Sequence, residues 1–222
     1  MALILTIDSA FEECVVAISN NEEVIAHERS VVQKDHASFL QPAIKKVLKN
    51  ASVALKSIDA VSVLNGPGSY TGLRVGLASA KGICYVLNKP LILLNTLDLL
   101  AFALQQNAAH ETNILFCPMI DARRMEVFTA LYNRELKLVK NYASVILDNN
   151  FLNEEKNTYK IVAGGNGSLK LKAIAGFENI SYGASTYTVN DVAICAFKAF
   201  ELEHFANLAY CEPFYIKPAY VK

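Results

Sequence analysis

The stretch that most constrains the fold runs from Ala60 to Leu87. A β-branched segment, Ala60 to Leu64, passes through Asn65-Gly-Pro-Gly-Ser69 into a segment carrying Gly72, Gly76, Ala78, Ser79, Ala80 and Gly82. Each Gly in a helix interior costs about 1 kcal/mol relative to Ala, so a helix this rich in small residues makes sense where another backbone comes close. The pattern predicts a buried strand, a tight turn and a closely packed helix over Tyr70 to Leu87. Period-2 runs at Leu3 to Ile7, Cys14 to Ile18 and Glu23 to His27 precede it, joined by connections short enough for antiparallel hairpins, which predicts a three-stranded meander. An amphipathic helix follows, starting near Ser38, with Ser38 and Gln41 matching a capping box and Leu40, Ala43, Ile44, Val47, Leu48 and Ala51 on one face. A strand at Leu91 to Leu94 and a helix at Leu97 to Gln106 complete a first lobe.

The polar stretch Gln105 to Asn113 is the best linker and puts a boundary near residue 108, giving lobes 1–108 and 109–222. In the second lobe, strands at Ile114 to Ile120 and Glu126 to Tyr132 are joined through Asp121-Ala-Arg-Arg-Met125, with a hairpin around Asn133 to Glu135. A strand at Lys160 to Ala163 then enters Gly164-Gly-Asn-Gly167 and a short helix at Ser168 to Ile174, and Thr188 with Asp191 caps a last helix. The aromatic tail, Pro213 to Tyr220, is too apolar to float free and is expected to pack on the body, the first lobe included, or on a partner.

A chain of 222 residues, 53% of them hydrophobic, buries enough surface for one or two domains. Lys plus Arg and Asp plus Glu each total 21, so there is no overall charge to grip nucleic acid or an anionic membrane. The five scattered cysteines contain no Cys-x-x-Cys pair, which fits reduced core thiols in a cytoplasmic protein. The N-terminus has no basic leader, and no apolar run approaches the roughly 20 residues that span a bilayer, so neither secretion nor a membrane helix is expected.

Candidate chemistry is sparse. The turn with Gly66, Gly68 and Ser69 lies between strand and helix, where backbone N–H groups hold an anion, and it is equally a plain tight turn. It is neither a Walker A loop nor a Rossmann fingerprint. Asp8 and Ser9 close the first strand, either as ligands for Mg²⁺ and phosphate or as an Asx turn; Gly164 and Gly165 allow a nucleotide to approach or simply turn the chain. These seven residues are the candidate nucleotide-binding set. Asp121, Arg123 and Arg124 stand at a strand end, either as two guanidiniums for a phosphate or a partner's carboxylate, with the Asp orienting one of them, or as a solvated β-turn. His27, His36, His110 and His204 occur singly, without metal-ligand spacing. No residue is assigned as catalytic or as a metal ligand.

Asn65 to Lys81 closely resembles the signature of the TsaB family of YeaZ-type proteins; Ile120-Asp-Ala-Arg-Arg-Met-Glu-Val-Phe128 is similar to a second motif of that family, and Pro213-Phe-Tyr-Ile-Lys217 to its tail. Met125 departs from a usual Gly, and Lys217 from a common Arg. The resemblance implies an α/β protein of the two-lobed actin-like ATPase (ribonuclease-H-like, ASKHA) fold, with mixed five-stranded sheets flanked by helices. It further implies a non-catalytic scaffold for threonylcarbamoyl transfer from threonylcarbamoyl-AMP to the anticodon-adjacent adenosine of tRNA. The catalytic TsaD paralogue carries a His-x-x-x-His metal pair after its own Gly-Pro-Gly segment, whereas Thr96-Leu-Asp-Leu-Leu100 here offers no imidazole. The implied partners are a TsaD-type paralogue, a TsaE-type ATPase, tRNA reached through the complex, and a second copy of the chain in isolation. The pairing is assigned to helices of the first lobe, through Leu40, Ile44, Leu48, Leu73, Gly76, Ala80 and Cys84. No cofactor is required on this reading, with weak ATP or ADP binding inside the complex left open. A sugar-kinase-type phosphotransferase or ATPase and a metallo-glycoprotease-like enzyme stand as alternatives.

Overall fold

The computed structural model describes residues 1–30, 35–108, 113–174 and 180–217. Among the described residues the chain forms two compact units: Met1–Thr96 with Thr188–Tyr215, and Leu97–Tyr187 with Ile216 and Lys217. His110, with the rest of 109–112 in the expected linker, and Pro218 to Tyr220 of the tail lie outside the described residues.

The first unit begins with β1 (Leu3–Asp8), β2 (Val15–Asn20), β3 (Glu23–Arg29), α1 (His36–Asn50), β4 (Ala60–Gly66), α2 (Tyr70–Leu87) and β5 (Leu91–Asn95). Its sheet has the order β3-β2-β1-β4-β5, antiparallel among the first three and parallel from β1 through β4 to β5. Central β1 and β4 are buried along nearly their whole length, as their continuous apolar runs require, while edge strand β3 alternates between exposed and half-buried residues. Helix α1 buries the expected stripe but starts before Ser38, and the Ser38–Gln41 capping box does not form. His36 draws the first turn back toward the sheet: its ring is buried and its Nε2 lies 2.8 Å from the Phe11 carbonyl oxygen.

Helix α2 matches its expected span, with Ser69 as N-cap accepting a hydrogen bond from the Gly72 N–H and left-handed Asn88 ending it. Of its small residues, Gly72, Gly76 and Ala80 face inward. A Cβ added at Gly76 would sit 2.2 Å from Ser9 Oγ, and one at Gly72 would sit 2.1 Å from the Ser9 carbonyl oxygen. The Ser9 hydroxyl donates to the Gly72 carbonyl at 2.8 Å, so the close backbone is the chain's own β1–β2 turn. The assigned pairing surface is therefore corrected: Leu40, Ile44, Leu48, Leu73, Gly76, Ala80 and Cys84 are all buried within the first unit. The apolar stripe of an amphipathic helix is claimed first by its own sheet.

The second unit holds α3 (Thr96–Gln106), β6 (Ile114–Asp121), β7 (Glu126–Tyr132), β8 (Leu138–Ile146), α4 (Glu155–Thr158), β9 (Lys160–Gly164), α5 (Ser168–Lys172) and β10 (Ser181–Tyr182). Its sheet order, β10-β9-β6-β7-β8, with antiparallel β6–β7–β8 and parallel β6–β9–β10, repeats the pattern of the first sheet without a sequence repeat. The units divide at Thr96/Leu97, not near 108, because α3 packs on the second sheet: Leu104 lies against Gly164 and Gly183, and Leu100 against Gly165. Helix α6 (Val189–Glu201) belongs to the first unit, where it packs on β1, β3 and β5. It opens with the expected Thr188–Asp191 capping box.

Two glycines one face apart on α2 separate the inner role of small residues from the outer one. Gly76→Ala is expected to destabilise the protein by about 1–3 kcal/mol by overpacking against Ser9. At Gly82 an added Cβ meets nothing within 4 Å. Gly82→Ala is expected to gain about 0.5–1 kcal/mol from helix propensity. Urea denaturation of both variants checks the sign and the contrast.

Candidate functional site

The Gly-rich turn is built by the chain folding onto itself. The Ser69 N–H donates to the Ala10 carbonyl at 2.7 Å, and a Cβ at Gly68 would sit 2.3 Å from that same oxygen. Gly66 has φ +118°, and the carbonyl of Phe214 lies 2.6 Å from where its Cβ would be. Only Gly meets both demands. The buried Asp8 forms an Asx-type turn, its Oδ1 accepting from the Ala10 N–H at 3.0 Å. Asp8, Ser9, Gly66, Gly68 and Ser69 thus converge in the first unit, but the Ser69 and Gly72 N–H groups, two of the donors an anion would need, are engaged internally. Gly164 and Gly165 lie in the second unit, the former against Leu104 and the Ala184 carbonyl, the latter with φ +87° against the Met119 carbonyl.

The tail packs on the first unit as far as Tyr215. The Phe214 N–H donates to the Asn65 carbonyl at 2.7 Å, so Pro213 to Tyr215 lies over the start of the Gly-rich turn. Tyr215 stacks on Tyr70 with ring centroids 5.1 Å apart. Arg74 locks the pair, donating to the Tyr215 hydroxyl at 3.1 Å while its guanidinium sits 4.1 Å from the Tyr70 ring centre. Lys81 holds the preceding chain through the Ala209 and Cys211 carbonyls.

In the Thr96–Leu100 stretch, Asp98 accepts hydrogen bonds on Oδ1 from the hydroxyls of Tyr132, at 2.5 Å, and Tyr142, at 2.8 Å. Burial first, and then the Asp98 carboxylate, push both phenols above their ordinary range, so they stay protonated donors. Sequence reasoning saw only a missing histidine pair here. The partners come from β7 and β8, 34 and 44 residues away, and nothing in the local pattern marks them. Among the described residues, no group of three or more His, Cys, Asp or Glu is placed to hold a metal ion. Among the same residues, no helix is long and apolar enough to cross a membrane.

The Asp121–Met125 segment is a strained turn. Arg123 and Arg124 have φ of 73° and 49°, a left-handed backbone that costs an L-residue about 1–2 kcal/mol each. It is pinned from both sides. The Arg123 N–H donates to Asp121 Oδ1 at 2.6 Å, and the Glu126 N–H donates to the Arg123 carbonyl at 3.1 Å. Lys170 Nζ reaches the same Asp121 oxygen at 2.6 Å and Lys217 binds Glu126. Partial burial acts upward on Asp121 but is outweighed by Lys170 and the Arg123 N–H, which hold its carboxyl below the usual range; Lys217, then Ser144, does the same for Glu126.

A shallow groove of about 470 Å³ runs along the outer side of α1 and α2, lined by Gln41, Leu55, Ala78, Gly82, Ile83 and Val86 among others. Beside it Tyr85 and Val86 are 80% and 79% exposed. Two adjacent large apolar residues this exposed next to an open glycine form an unpartnered apolar strip.

The buried thiols carry a direct check. Burial, aided by Asp8, pushes Cys14 up to about 12; burial alone dominates at Cys117, also about 12, and at Cys84, about 11. All three are protonated at pH 8, whereas Cys195 and Cys211 are half-buried. A disulfide-exchange reagent at pH 8 is expected to titrate only Cys195 and Cys211 in the native protein, and all five cysteines after denaturation.

The model of the family described as TsaD, tRNA N6-adenosine threonylcarbamoyltransferase, matches residues 14–217. The tRNA threonylcarbamoyladenosine biosynthesis protein TsaB of Bacillus subtilis (strain 168) is 31% identical over 149 residues, covering 67% of this chain and 62% of that one. The protein of the same name from Escherichia coli (strain K12) is 36% identical over 133 residues, 60% of this chain and 55% of its own. The match spans less than two thirds of either relative. The structure of YeaZ from Pseudomonas aeruginosa aligns with a TM-score of 0.77 at 22% identity, over 97% of this chain and 100% of that one, and shows the shared fold.

Proposed function

Because the chain belongs to the tRNA N6-adenosine threonylcarbamoyltransferase (TsaD) family, we propose that it is the TsaB-type accessory subunit of the assembly that moves a threonylcarbamoyl group from threonylcarbamoyl-AMP to the anticodon-adjacent adenosine of tRNA. The observation that carries the reading is the apolar outer strip of α2, with Gly82 open and Tyr85 and Val86 exposed. A paralogue of the same fold presents a like pair of helices, and two such pairs close over each other's apolar strips. In isolation the same strip pairs with a second copy of the chain.

The subunit contributes a surface, not a reacting group. In the stretch where the catalytic paralogue carries its histidine pair, Asp98 accepts two tyrosine hydroxyls on one carboxylate oxygen. The Gly-rich turn commits its Ser69 and Gly72 N–H groups to its own chain, which weighs against a sugar-kinase-type site. The protein thus works in the cytoplasm with a TsaD-type paralogue and a TsaE-type ATPase, reaches tRNA through them, and needs no cofactor or metal of its own.

Purified chain added to the paralogue, the ATPase, tRNA and threonylcarbamoyl-AMP is expected to make modified nucleoside appear; formation without the chain would overturn the reading. Val86→Asp puts a charge on the strip without touching the core, and is expected to lower co-elution with the paralogue at least tenfold while the thermal midpoint stays within about 2 °C.

A further inference from the structure

The turn at Arg123 and Arg124 is not used by the proposed pairing face. Both residues are exposed, and among the described residues neither guanidinium has a hydrogen bond or ion pair. Asp121 is the natural carboxylate for either arginine, yet its oxygen is held by the Arg123 backbone N–H and by Lys170. Glu126, at the other end of the turn, is held by Lys217 and Ser144. The two acids of the turn are thus ionised but already bound, while two planar guanidiniums project from a backbone that ordinary residues avoid. Four cations, Arg123, Arg124, Lys170 and Lys217, meet two acids, Asp121 and Glu126, at one strand end of a chain whose net charge is zero.

We infer that the Arg123–Arg124 turn is a phosphate-binding contact for the backbone of tRNA. A guanidinium offers a rigid fork of donors matched to phosphate oxygens, and two in succession reach along a sugar–phosphate chain. The bound acids favour this ligand over a protein surface: each is paired with a lysine, which lowers its repulsion of a polyanion and leaves the two guanidiniums as the unpaired charge of the turn among the described residues. The contact positions RNA and reads no base. It rests on the proposed role in a tRNA-modifying assembly.

The test uses full-length chain, alone and assembled with the paralogue, titrated with fluorescently labelled transcribed tRNA across a series of KCl concentrations. For R123Q/R124Q, tRNA affinity is expected to fall about tenfold or more at low salt, with the slope of log affinity against log salt shallower by roughly 1 to 2. Co-elution with the paralogue is expected to be unchanged. R123G/R124G guards against misfolding: glycine accepts the left-handed turn, so this variant is expected to melt at or above the wild-type temperature while losing the same tRNA affinity. Unchanged affinity and slope in both variants, or no measurable tRNA binding by wild type in either form, overturns the inference. Lost co-elution at unchanged tRNA affinity also overturns it and assigns the turn to an acidic protein surface. Wild type that fails to join the paralogue removes the accessory-subunit reading instead, and the titration of the chain alone then decides the turn.

Discussion

Much of the first unit depends on the contact between the β1–β2 turn and the first half of α2. Ser9 and Ala10 press against Gly68, Gly72 and Gly76 at distances no side chain can share, and the Ser9 hydroxyl binds the Gly72 carbonyl. This contact draws α2 down onto the end of β1 and aligns the Gly-rich turn beneath Phe214. It also decides which side of α2 is free. Once Gly72, Gly76, Leu73, Leu77, Ala80 and Cys84 face the sheet, Ala78, Gly82, Tyr85 and Val86 must face away. The helix therefore uses small residues twice, inside for backbone approach and outside for an open groove.

The same contact separates what was legible in the sequence from what was not. The limits of α2 were legible because a turn of Gly and Pro leading into a run of small residues suits few backbone arrangements besides a strand-to-helix corner. Its facing was not: small residues suit an internal approach and a helix-to-helix interface equally, and only the position of Ser9, more than sixty residues earlier, separates them. The early start of α1 was hidden for a similar reason. Ser38 and Gln41 form a good local cap, but a histidine buried against Phe11 outweighs it, since tertiary packing overrides weak local preference. The boundary near 108 followed a polar stretch, whereas the division follows where α3 packs, and Leu100 and Leu104 meet Gly165 and Gly164.

Charge is distributed on the same principle of local pairing. A chain with equal numbers of acids and bases has no overall field, yet neutrality in total permits imbalance in place. At the β6–β7 connection, Lys170 and Lys217 each satisfy one acid of the turn. Left-handed backbone at two successive arginines is strain that their own side chains do not relieve, since neither guanidinium binds the acids that flank it. Strain of this kind persists where the surrounding structure over-determines it, and Asp121, Glu126 and Lys170 do so here.

The Asp98 cluster shows how a carboxylate in the first turn of α3 is committed to structure. A carboxylate that is to hold an ion needs its lone pairs available and further ligands beside it. Asp98 instead accepts two phenolic hydroxyls on one oxygen, from Tyr132 and Tyr142, whose raised pKa values keep them donors across the working pH range. The result ties α3 to β7 and β8 and turns the charge to cohesion of the second unit. With Asp98 Oδ1 and the Ser69 and Gly72 N–H groups engaged internally, the proposed role draws on outer surfaces: the apolar strip on α2 and the cationic turn after β6.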